Sequence, residues 1–110
     1  MDLVELVYQA TGTWPSDEKY GLTSQVRRAV VSVVSNIAEG QGRNSKGEFL
    51  QFLGHAKESL LEVETQILVG ERLKYLTGEK VAEVMKQIER VSRLLNGLMQ
   101  SLKGKAAGAS

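Results

Sequence analysis

Apolar residues recur along the chain at steps of three and four in four separate runs, the period of amphipathic α-helices. The first run spans Asp2 to about Thr11, with Leu3, Leu6, Val7 and Ala10 on one face. Gly12 and Pro15 end it. The segment "PSDEKYG" (15–21) reads as a turn or a single helical turn. Ser16 is its expected cap, and Asp17 and Glu18 fall in first-turn positions that favour acids.

The second run spans Thr23 to about Glu39. On a helical wheel Gln25, Arg28, Ser32, Asn36 and Glu39 form one narrow polar stripe. Val26, Val30, Val31, Val33, Val34, Ile37 and Ala38 cover most of the remaining circumference. A surface helix shows one apolar stripe, so this one is predicted to be central or covered on two sides. A chain of 110 residues has little interior in which to enclose a helix, and a partner subunit is expected over part of it. The third run spans Ser45 to about Leu76, with Phe49, Phe52 or Leu53, Ala56, Leu60, Val63, Ile67 and Gly70 in a seam and Leu50, Leu61 and Leu68 flanking it. Small Ala56 and Gly70 suit close helix approach. The fourth spans about Gly78 to Leu102, with Thr77 as expected N-cap. Val81, Val84, Ile88, Val91, Leu95, Leu98 and Leu102 alternate steps of three and four, the repeat of a left-handed bundle seam. Short connections imply an all-α, antiparallel up-down-up-down four-helix bundle over residues 1–102. "KGKAAGAS" (103–110) has no packing pattern and is expected to be a flexible tail.

The stretch "SNIAEGQGRNS" (35–45) breaks the apolar pattern. Gly40 and Gly42 stand where a helix C-terminus takes a left-handed residue, and Ser45 with Glu48 forms a capping box for the next helix. Gly42 and Gly47 have the outer spacing of a phosphate loop, but Glu48 and Phe49 follow where that motif needs Lys and Ser or Thr. Gly40 and Gly42 follow a helix instead of a strand, which excludes a dinucleotide loop. Arg43, Asn44, Ser45 and Lys46 precede a helix start, where an anion is an alternative to an ordinary capped turn.

Charge changes the picture more by its distribution than by its sum of +1. Residues 1–26 hold one Lys against four acids, and residues 72–110 hold eight Lys or Arg against three Glu. Lys86, Arg90 and Arg93 form a basic stripe opposite the fourth seam, with Lys103 and Lys105 beyond it. Such a row is either a solvated face or a track for a nucleic-acid backbone. Glu89 interrupts it, and it lacks the interleaved aromatics that stack on bases. The chain has no Cys, which excludes disulfides and thiolate chemistry and fits the cytoplasm. No apolar run approaches a membrane span, and "MDLVEL" does not read as a secretory signal.

His55 is the sole His, so a zinc site would need carboxylates alone beside it, and a Glu-x-x-His di-metal bundle, which takes two such motifs, cannot be assembled. No spacing identifies a nucleophile, base and orienting acid together, so no enzymatic activity, metal or cofactor is expected. Arg27 lies within the apolar arc of the second helix, near the start where a cation opposes the helix dipole. It either forms a partly buried ion pair with an acid such as Glu64 or extends its head to solvent. Ser32, Asn36 and Glu39 are either a polar seam between subunits or a plain solvent face.

The segments "YGLTSQVRRAVVSVVSNIAEGQGR" and "EFLQFLGHAKESLLEVETQIL" resemble the four-helix-bundle proteins encoded in intervening sequences of large-subunit ribosomal RNA genes. The likeness covers about residues 8–76. It implies an antiparallel four-helix bundle assembling as a ring-like homopentamer, with RNA or DNA binding as the usual suggestion for its role. That family is similar to the accessory proteins of diversity-generating retroelements, which implies a reverse transcriptase as a further class of partner. The family's motif positions fall here on Arg27, Arg28, Asn36, Glu39, Gly40, Gly42, Arg43, Glu64 and Gln66. Val34 stands where the family often has Pro.

Overall fold

A computed structural model of the chain describes residues 1–108, with side chains through Gly104. Four α-helices carry the fold: α1 (Asp2–Thr11), α2 (Leu22–Gln41), α3 (Lys46–Arg72) and α4 (Gly78–Gly108). There is no strand among the described residues. Helix α2 packs most extensively on α3, α3 packs on α4, and α1 closes the arrangement against both α2 and α4. The molecule is a rod of 53 × 24 × 19 Å. The 31 residues of α4, about 46 Å at helical rise, account for most of its length.

One core runs through all four helices. Leu3 and Val7 of α1, Val26, Val30 and Val33 of α2, Leu53, Val63 and Ile67 of α3, and Val84 and Leu95 of α4 are fully buried. Each such side chain contributes roughly 1.5–3 kcal/mol by leaving water. The seams of α3 and α4 are therefore the interior faces that their three-four spacing predicts. Helix α2 divides its valines: Val31 stays 42% exposed and Val34 half-buried. The protomer leaves part of that arc uncovered, as the wide apolar arc predicts.

The ends of the helices depart from expectation in several places. No glycine among the described residues has a positive φ. Helix α2 runs straight through Gly40, which is buried; a Cβ there would lie 2.8 Å from Phe49 Cδ1 and 3.0 Å from Phe52 Cβ. Gly40 is thus a packing residue, and Gly42 caps the helix in ordinary right-handed geometry. Gly70 does not admit a helix either. The Trp14 ring fills its place, with Cζ2 2.7 Å from where a Cβ would stand.

Helix α3 stops at Arg72 instead of Leu76. Lys74 takes φ 64°, the Tyr75 N–H donates to the Gly70 carbonyl at 2.9 Å, and the Lys74 N–H donates to the Glu71 carbonyl at 2.9 Å. This is a Schellman ending with lysine in the position that glycine usually takes. Leu73, Tyr75 and Leu76 prolong the apolar pattern past it and hide the stop. Ser16 lies inside the 3₁₀ turn Ser16–Glu18, and Pro15 stands at its N-cap. At its far end, α4 remains helical through Gly108. The boundary expected at Leu102 ends the seam and not the helix, because extending an existing helix is easy and Lys and Ala are good formers.

Two caps stand as expected. Ser45 Oγ accepts from the Glu48 N–H at 3.1 Å, and Thr77 Oγ1 accepts from the Lys80 N–H at 3.2 Å. The α1–α2 connection is pinned by Glu18, whose carboxylate accepts from the Leu22 N–H at 3.3 Å and from the Tyr75 hydroxyl at 2.9 Å. Trp14 and Tyr75 meet with ring centroids 5.6 Å apart.

Candidate nucleic-acid interface

Lys86, Arg90 and Arg93 follow one another at helical steps of four and three on α4, and all three are exposed. Their side chains stand opposite the buried Val81–Leu95 seam, so packing of the core sets the direction in which they point. Arg93 is held by Glu89, one turn before it. Lys86 and Arg90 take part in no ion pair among the described residues. Lys103 is exposed farther along the same helix. Lys105 lies outside the residues whose side chains are described.

A second basic group sits at the α2–α3 turn. Arg43 donates to Glu39 Oε2 at 3.0 Å and lies over the Phe52 ring, 4.7 Å from its centroid. Its charge is therefore half-spent within the turn. Lys46, exposed, opens α3. The up-down topology brings the far end of α4, with Lys103, back to the end of the rod that carries Arg43 and Lys46. The basic residues thus divide into a mid-helix row and an end group.

The polar stripe of α2 meets α3 in an open cleft. Ser32 Oγ and Ser59 Oγ are 2.9 Å apart, and Asn36 Nδ2 donates to the Ser32 carbonyl at 2.8 Å and to its hydroxyl at 3.0 Å. With His55, Glu58 and Glu62 they line a cleft of about 380 Å³. Gln25, Arg28 and Gln66 continue it toward the other end, and Gln66 Oε1 is buried with no hydrogen-bond partner among the described residues. Ser32 ties α2 to α3 of the same protomer through Ser59, and Asn36 braces Ser32 from within α2. His55 is exposed and meets Phe52 edge-on at 6.1 Å. No group of three His, Cys, Asp or Glu among the described residues could hold a metal ion.

Arg27 corrects the expectation set for it. Its Nε donates to Thr11 Oγ1 at 2.9 Å, its Nη2 donates to the Tyr8 carbonyl at 3.2 Å, and its guanidinium covers the Tyr8 ring at 4.6 Å. Every one of these contacts is to α1. Glu64, half-buried on α3, makes no ion pair with it. The guanidinium finds its acceptors at the C-terminal end of α1, where unpaired carbonyls carry partial negative charge. Thr11, buried and facing Arg27, is the partner that spacing on a single helix could not reveal. Glu18 is likewise legible only once Tyr75 is brought beside it.

The Tyr75 hydroxyl titrates above its ordinary value, chiefly because it donates to Glu18 and further because burial and the Glu18 charge disfavour the phenolate. That cluster belongs to the frame at the opposite end of the rod from Arg43 and Lys46.

The model of the family described as "23S rRNA-intervening sequence protein" matches residues 1–97. A crystal structure of a protein of unknown function from the S23 ribosomal protein family of Bacteroides thetaiotaomicron superposes with a TM-score of 0.72. Identity is 19%, and the match covers 89% of this chain and 85% of that one, a likeness that speaks for the fold alone. Comparison with curated proteins returns no match.

Proposed function

Since the chain belongs to the 23S rRNA-intervening sequence protein family, we propose that it is a non-enzymatic, oligomeric binding protein of the cytoplasm that holds RNA or DNA on its basic outer surface. The observation that carries this reading is the exposed row Lys86, Arg90 and Arg93 on α4. The row spans about 10 Å along the helix, and the core packing of α4 keeps it facing outward. Helix α4 carries no aromatic residue, so its grip is on phosphates and not on stacked bases. Such contacts position a nucleic acid without reading its sequence. Assembly into a ring-like homopentamer, which the family resemblance implies, repeats the row on each copy and multiplies a weak individual contact. Arg43, Lys46 and Lys103 add charge at one end of the rod.

Fluorescence anisotropy with labelled RNA and DNA, single- and double-stranded, tests this reading. Three phosphate contacts per protomer predict that a fourfold rise in salt weakens binding roughly 40-fold. Replacing Lys86, Arg90 and Arg93 together by Gln removes most of that dependence. Absence of binding at low salt, or binding that ignores salt and the triple substitution, contradicts it. A second reading, a protein-interaction module, is favoured by the exposed Leu61, Leu68 and Tyr20. A reverse transcriptase is one class of partner under that reading. Retention of a protein partner that salt does not disturb, with no affinity for nucleic acid, decides for it.

A further inference from the structure

Helix α3 has two flanks beside its buried seam. Ser59, Glu62 and Gln66 lie on the one that meets α2 in the polar cleft. Lys46, Leu50 and Lys57 fall on the opposite flank, which therefore borders α4. Helix α4 divides in the same way. Glu83 and Gln87 meet Asp2, Glu5 and Gln9 of α1 on one flank. Asn96, Gln100 and Lys103 fall on the other, facing α3, with Arg93 at its outer edge. The chain reverses between Arg72 and Gly78, so residues equally far from that turn lie side by side. Lys57 thus stands level with Arg93, and Lys46 near Lys103.

This half of the α3–α4 groove is basic and free of acids. Lys46, Lys57 and Lys103 are exposed, and none takes part in an ion pair among the described residues. No acid follows Glu89 in the sequence. Glu48 comes two residues after Lys46 and so turns to the far flank of α3. Like charges gathered without counterions repel one another, and an anion from outside relieves them. Lys57 also fills the interval between the α4 row and the end group. From Lys86 to Lys103 the cations extend about 26 Å along the helix, the length of roughly eight base pairs.

We infer that this groove takes a double-stranded nucleic acid, one backbone on the cations of α4 and the other on Lys57 and Lys46 of α3. The inference rests on the nucleic-acid reading above and names the ligand of that surface. Packed helices stand about 8–10 Å apart, between the minor- and major-groove widths of a duplex, so two walls suit two strands. A single strand has use for only one wall. It would also seek rings to stack on, and neither wall offers an exposed one. Phe49 and Phe52 of α3 are half-buried against Gly40, and α4 has no aromatic residue.

Fluorescence anisotropy tests this with the full chain, a labelled duplex of about 20 base pairs and one of its strands, across a roughly fourfold range of salt. Six contacts per protomer predict a loss of duplex affinity on the order of a thousandfold over that range, against roughly 20-fold for a single strand held by the α4 row alone. Lys46→Gln, Lys57→Gln and Lys103→Gln together bring the duplex back to about 40-fold and leave the single strand as it was. Lys57→Gln alone weakens the duplex and lowers its salt slope by about one, while Lys57→Arg restores both. Lys19→Gln, an equal loss of charge at the other end of the rod, changes neither. A triple variant that binds the duplex like wild type overturns the inference and leaves the α4 row standing. Equal losses for duplex and single strand overturn it too, since only a duplex spans both walls. If wild type binds neither probe at low salt, the nucleic-acid reading itself falls.

Discussion

Tyr75 and Glu18 show how much a single pair organises at one end of the rod. Glu18 receives the Leu22 N–H at the start of α2 and the Tyr75 hydroxyl from the far side of the α3–α4 turn. The tyrosine is thereby kept protonated above its ordinary value near 10. Unfolded tyrosine ionises first, so this pair's contribution is complete below about pH 10 and is lost as the pH rises through the higher native value. Wild type should therefore lose stability in that alkaline window. Tyr75→Phe should be less stable than wild type near neutrality, and the gap should close above pH 10. Chemical denaturation across pH 8–12 measures it; a gap that widens with pH contradicts the assignment. Arg27 teaches a related lesson, since its charge is satisfied by a carbonyl, a hydroxyl and a ring on α1 and by no carboxylate.

At the scale of helices, the interior faces were legible and several of the ends were not. The seams of α3 and α4 follow from spacing alone, because burial selects apolar residues every three or four positions. Ser45 and Thr77 cap where a hydroxyl precedes a helical run. The stop of α3 carries no such signal: lysine occupies the left-handed position, and apolar residues continue beyond it. Gly40 was misread because a glycine needed for a turn and one needed for a ring look the same in sequence, and Gly70 admits the Trp14 ring where a neighbouring helix was expected. Lys74→Gly should raise stability by up to about 1 kcal/mol at fixed protein concentration, since glycine takes φ 64° without strain. Lys74→Val should lower it. Equal denaturation midpoints for the three proteins would show that the Schellman ending is not under strain. The candidate site was legible in part: the α4 row follows from the wheel, while the half-neutralisation of Arg43 by Glu39 and Phe52 needed the folded turn.

At the scale of the molecule, a slender rod of four helices buries one core and leaves apolar side chains exposed at several places on its surface, Val31, Leu61, Leu68 and Leu94 among them. Val31 lies beside the half-buried Val34 on α2, and Leu61 and Leu68 share one face of α3. Basic residues collect on α4, and the acids of α1 lie on another element. This division of surfaces suits a protein that assembles with itself through apolar faces and presents its cations outward. A bundle of this size can leave single apolar residues exposed without consequence, so self-assembly belongs to the proposal and is for measurement to decide. Assembly is the part of the proposal on which the repetition of the basic row depends. Multi-angle light scattering at micromolar protein tests it most directly. The account predicts a particle of five times the 12.1 kDa protomer mass. A single species at the protomer mass would contradict it.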